Sequence, residues 1–170
     1  MASPAEPFGF AIFCEDVRSE IGGQYSLIGI YPDGLRIHTP FPATIPKFSV
    51  SITFCEPHDL AVKRNCPISL SIYLPGESEP SLRGEFPVPG QQVLAHPQGQ
   101  LPLLDLSDED STQMRIMVIN MTIAQLVLPA PGYIRVRAQY EGKVIRLGTF
   151  KVLGGVEATT KDAPKIKGDR

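Results

Sequence analysis

Three arginines near the C-terminus have the most definite chemistry in the sequence. Tyr133 to Tyr140 and Lys143 to Val152 are β-rich runs joined by Glu141-Gly142, a two-residue turn whose glycine accepts a positive φ, so they form a hairpin. Tyr140 then faces Lys143, Gln139 faces Val144, Ala138 faces Ile145 and Arg137 faces Arg146. Arg135 shares the parity of Arg137, so Arg135, Arg137 and Arg146 gather on one face, where like charges repel unless an anion or carboxylates intervene. Phe150 and Val152 have the same parity. Either the arginines lie toward the turn while the strand ends enter the core, or a bulge shifts the register. The chain's own acidic run Asp105 to Asp110 is the first candidate counter-charge, a partner protein's acidic patch the second, and the phosphates of a nucleic acid a distant third.

Other constellations carry weaker signals. Glu15, Asp16, Glu20 and Asp33 cluster around a first hairpin, and oxygen-rich loops hold Ca²⁺, which makes a Ca²⁺-dependent binding module the second functional class. Arg18 lies among these acids, so local pairing of Glu15, Asp16, Arg18 and Glu20 is the plainer reading. Cys55, His58 and Cys66, with Glu56 or Asp59, suggest an enzyme with a Cys/His metal site as a third class. Neither CxxC nor HxxxH spacing occurs, and strand alternation puts Cys55 and Cys66 on opposite faces. Cys14 aligns with Phe8, Phe10 and Ile12 as a core residue. With no GxSxG elbow, P-loop, HExxH or dinucleotide fingerprint, neither catalysis nor a cofactor is expected.

The elements that must position these residues are strands. Phe48, Val50, Ile52 and Phe54 alternate with polar residues over Lys47 to Cys55, and Ile68, Leu70, Ile72 and Leu74 do so over Cys66 to Leu74. The two runs are expected to pair across Glu56 to Asn65. Phe8 to Cys14 and Tyr25 to Tyr31 flank Ile21-Gly22-Gly23 as the first hairpin, and Ser81 to Val88 is a short strand whose Pro87 suggests an edge. Met114 to Ile123 has apolar residues at both parities and reads as a central strand buried on both faces or as a helix. Gly90 to Thr112 is a long, weakly patterned loop.

The chain has 170 residues, 42% hydrophobic and 20% charged, with 15 Gly and 17 Pro, a globular composition rich in turns. One domain over 1–153 is expected, with a frayed tail over 154–170. About eight short strands separated by Gly and Pro turns predict an all-β, antiparallel two-sheet β-sandwich, and a partly closed barrel is the alternative. Tyr133, following Pro131-Gly132 at the head of a strand, resembles a tyrosine corner and points to an immunoglobulin-like version. Sixteen Lys and Arg against eighteen Asp and Glu give a net charge of -2, so nucleic acid is not an expected partner. No apolar stretch reaches the roughly 18 to 20 residues that span a bilayer, and three cysteines without a CxxC pair, an odd number that leaves one unpaired, fit a reducing compartment, so a cytoplasmic protein without a membrane partner is expected.

The run Phe13-Cys14-Glu15-Asp16-Val17-Arg18 through Gly22-Gly23 to Ser26-Leu27-Ile28-Gly29-Ile30-Tyr31 resembles the opening of a family of uncharacterised bacterial proteins of similar length. The resemblance implies a bacterial cytoplasmic origin and carries over no functional residue. The leading expectation is a non-enzymatic protein-interaction module with an unidentified protein partner.

Overall fold

The computed structural model describes residues 6–57, 67–86 and 114–154. Among them the period-two alternation becomes nine strands and no helix: β1 (Phe8–Ser19), β2 (Tyr25–Ile30), β3 (Leu35–Ile37), β4 (Ala43–Pro57), β5 (Ile68–Tyr73), β6 (Leu82–Phe86), β7 (Met114–Leu128), β8 (Gly132–Tyr140) and β9 (Lys143–Gly154). They form a four-stranded sheet in the order β2-β1-β4-β7 and a five-stranded sheet in the order β3-β9-β8-β5-β6. Every pairing is antiparallel except β3 with β9. No described strand of one sheet hydrogen-bonds to the other, so the strands do not close a barrel.

The two sheets enclose one apolar core. Phe48, Val50, Ile52 and Phe54 of β4 face Ile68, Leu70 and Ile72 of β5 and Ile134, Val136 and Ala138 of β8. At one end the rings of Phe13, Phe48 and Phe150 meet, with centroids 4.9 Å apart for Phe13–Phe150 and 5.4 Å for Phe48–Phe150. Tyr31 joins them 5.5 Å from Phe150.

The structure corrects three sequence expectations. β4 and β5 are not partners: β4 lies between β1 and β7, and β5 between β8 and β6. Each strand has a complete apolar face, and the two faces are buried by opposing one another across the core, so the chain changes sheets between them. On β1 the core side is Gly9, Ala11 and Phe13, because Gly9 and Gly148 let β1 and β9 approach closely. Phe8 and Phe10 stand outside, about half exposed, and Cys14 is buried on that outer side. β7 is neither central nor helical but an edge strand, bonded only to β4 among the described residues, and its outward Ile116 and Val118 are exposed.

A paired irregularity explains the mixed parity of β7. Pro46 and Gln125 lie opposite each other, Gln125 has a φ of 53°, and beyond them both strands exchange inner and outer faces. Ile45 and Leu126 are therefore buried on one side of the kink, and Phe48 and Ile119 on the other. Residues 58–66, the expected loop Gly90 to Thr112 and the tail from 155 lie outside the described residues.

The approach of β1 to β9 has a measurable consequence. A Cβ at Gly9 would lie 2.5 Å from the Thr53 carbonyl oxygen and 2.7 Å from Leu147. Gly9→Val should cost about 1–3 kcal/mol of unfolding free energy in urea denaturation, the overpacking range, and an unchanged midpoint would show that the sheets do not meet there.

Candidate anion-binding face

The last hairpin has the expected register from Tyr140↔Lys143 through Arg137↔Arg146, and a β-bulge follows between Val136 and Arg137. Leu147 is the extra residue on β9, and its side chain and the Cα of Gly148 both face the core. Arg146 and Thr149 therefore point outward on either side of a bare stretch of backbone. That stretch is the floor of a cup of about 140 Å³ lined by Arg135, Val136, Arg137, Arg146, Gly148 and Thr149.

The outer face of the five-stranded sheet supplies the cup's walls. One cross-strand row runs Arg83, Ser71, Arg137, Arg146 over β6, β5, β8 and β9. The next runs Tyr73, Arg135, Thr149. The Tyr73 ring lies under two cations, 4.9 Å from the Arg137 guanidinium carbon and 5.2 Å from that of Arg135. Arg135 Nη2 also donates to the Glu77 carbonyl oxygen at 2.5 Å. The neighbouring carboxylates are engaged elsewhere: Glu77 accepts from the Ser81 hydroxyl, and Glu79 pairs with Arg83 at 3.2 Å. Among the described residues no carboxylate reaches Arg137 or Arg146. The acidic run Asp105 to Asp110, the first candidate counter-charge, lies outside the described residues.

Beside the cup, sharing Gly148 and Thr149 with it, an open cleft of about 440 Å³ runs between β1, the Ile30–Gly34 turn and the outer edge of β9. Tyr31, Asp33, Tyr133 and Lys151 contribute its polar groups. Burial is the main cause that pushes the Tyr31 hydroxyl's pKa up, with the nearby Glu15 carboxylate adding to it.

The acidic hairpin does not assemble a cation site. Asp16 bonds to Lys47 across to β4 and to Arg18 Nε at 3.3 Å. The Lys47 hydrogen bond, followed by that of Arg18, holds the Asp16 carboxyl below its usual 3.8. A lowered folded pKa means that the pair contributes above the unfolded value and is lost as pH falls through the folded one. Glu15 is exposed beside Gly29, Glu20 closes the β1–β2 turn through its backbone, and Asp33 lines the cleft instead. Among the described residues no three His, Cys, Asp or Glu side chains come together as metal ligands.

Glu56, a candidate ligand by sequence, is 2% exposed and held by Arg115, whose Nε donates to its Oε1 at 2.7 Å. Burial raises the pKa of both the Cys55 and Cys14 thiols, the reverse of what a nucleophile needs. His58, Asp59 and Cys66 lie outside the described residues. The sequence shows the three arginines but neither the ring that supports two of them nor the buried ion pair on the other sheet. Tyr73 was recognisably outward-facing, but its neighbours depend on β5 pairing with β8. Glu56–Arg115 joins residues 59 apart, with no local signal.

Tyr133 is half exposed on the outer face, and its hydroxyl makes no hydrogen bond among the described residues, so it does not form the expected tyrosine corner. Two sheets about one core with a basic outer face define an all-β domain. Its residues 9–153 match the model of a family of unknown function (DUF6941), and the chain belongs to that family. Comparison with curated proteins and with solved structures gave no match.

The two kinds of ion pair differ in energetic weight. Arg18→Ala removes a cation 65% exposed and should change stability by about 0–1 kcal/mol. Arg115→Met strands the buried Glu56 carboxylate and should cost about 3–5 kcal/mol in the same denaturant titration. Equal losses from both variants would contradict this distinction.

Proposed function

We propose that this chain is a non-enzymatic protein-interaction module that docks an acidic segment of a partner protein on the outer face of β5, β8 and β9. The observation carrying the reading is the cross-strand pair Arg137 and Arg146, which no carboxylate reaches among the described residues. Like charges in that register cost stability in the free protein, and an anionic partner relieves the cost. Tyr73 adds an amphipathic ring beneath two of the arginines, and aromatic residues and Arg are the types enriched in protein interfaces.

The reading extends to an immunoglobulin-like sandwich of bacterial, cytoplasmic origin. Support for the fold comes from strand order: β1-β4-β7 and β9-β8-β5 follow the A-B-E and G-F-C orders of that architecture, with β2, β3 and β6 as additions. Cys14 and Cys55 are free thiols, as a reducing compartment maintains them.

Affinity capture from the native host with the full chain and with an Arg137→Glu, Arg146→Glu variant tests the docking face. An acidic protein should be retained by the parent at low salt, released at high salt and missed by the variant. Identical recoveries from both chains, or no recovery from the parent, would overturn the reading.

A further inference from the structure

Building on the docking face proposed above, we infer that the cup takes a phosphomonoester, the phosphorylated side chain of a partner protein. Size is the first ground. At about 140 Å³ the cup is well below the roughly 300–1,000 Å³ of sites that hold whole small molecules, so it accepts a functional group of something larger.

Charge and shape select the group. A carboxylate brings one negative charge and two oxygens in a plane, whereas a phosphomonoester brings about -1.5 to -2 charges and three acceptor oxygens. Arg135, Arg137 and Arg146 line the cup from two strands, with the Thr149 hydroxyl on the same rim. Donors on several sides suit a tetrahedral acceptor, and guanidinium groups bond phosphate oxygens bidentately. Tyr73 and the Glu77 carbonyl hold Arg135 in place, and Tyr73 also supports Arg137, so part of the ordering cost is met before binding.

The adjoining cleft identifies the source. It shares Gly148 and Thr149 with the cup and offers Ile30, Pro32, Tyr133 and Lys151 to whatever continues from the phosphorylated residue. A polypeptide fills both recesses, and free phosphate leaves the larger one unused. Nucleic acid would need a broad positive field, and the chain's net charge is -2.

The test is fluorescence anisotropy with the full chain and labelled short peptide pools that carry phosphoserine, Glu or Ser between mixed flanking residues, with a labelled single-stranded DNA oligonucleotide alongside. The phosphoserine pool should bind about tenfold or more tighter than the Glu pool, with the Ser pool weakest. Arg146→Ala and Arg137→Ala should each lose about tenfold or more, and Thr149→Val less. Arg146 and Thr149 are exposed, so Arg146→Ala and Thr149→Val should melt no lower than the parent, which separates lost binding from lost folding.

Equal affinity for the phosphoserine and Glu pools would overturn the phosphate assignment and leave acidic docking standing. Binding of no pool while affinity capture still shows an Arg137- and Arg146-dependent partner would also overturn only the phosphate assignment. Failure of both experiments would overturn both readings. Tighter binding of the oligonucleotide than of any peptide would overturn the assignment in favour of nucleic acid.

Discussion

The molecule's two faces are reconciled by one extra residue in β9. Strict alternation from an outward Arg146 would turn Phe150 and Val152 into water, yet both are buried, at 3% and 1% exposure. The bulge opposite Val136 sends Leu147 and Gly148 inward together and resets the parity, so Phe150 reaches Phe13 and Phe48 while Arg146 stays outside. Gly148 makes this possible at the crowded point, since a Cβ there would lie 3.0 Å from that of Ala11. The same bulge leaves bare backbone between Arg146 and Thr149, so core closure and the arginine-lined cup have a single structural cause.

Charge is held in contrasting ways on the four-stranded sheet and on the arginine face of the five-stranded one. In the four-stranded sheet the cations find carboxylates: Arg115 takes the buried Glu56, and Lys47 and Arg18 share Asp16. In the five-stranded sheet two arginines share the Tyr73 ring, and Arg146 extends from the opposite strand with no described carboxylate in reach. A ring quadrupole offsets only part of the repulsion between neighbouring cations. That imbalance, rather than fold or composition, is the ground for the proposal that the face takes an anion.

Much of this face was legible because hairpin registry is local. Glu141-Gly142 fixed the pairing of Arg137 with Arg146, and the parity conflict with Phe150 and Val152 already required a special feature in β9. The bulge was one of two ways out, and only the structure selects it. Less local features were not legible. The alternation of β4 and β5 showed which side chains turn inward, but neighbours in one sheet and opponents across a core produce the same pattern. β1 misled because its large Phe8 and Phe10 suggested a core face, whereas the sheets close over the small Gly9 and Ala11. β3, only three residues long and directly after Gly34, is too short to show a period. In β4 and β7 the reversal at Pro46 and Gln125 mixed two phases of one pattern.

The stability of an Arg146→Gln variant, from chemical denaturation at low and high salt, tests most directly whether the face is unneutralised. Arg146 lies opposite Arg137 and is exposed, so removing its charge relieves repulsion without opening the core. Stability should rise by about 0.2–1 kcal/mol at low salt, and the gain should shrink as salt screens the pair. A loss of stability at low salt would show that a carboxylate of the chain already pairs with Arg146, which would contradict a face kept open for an external anion.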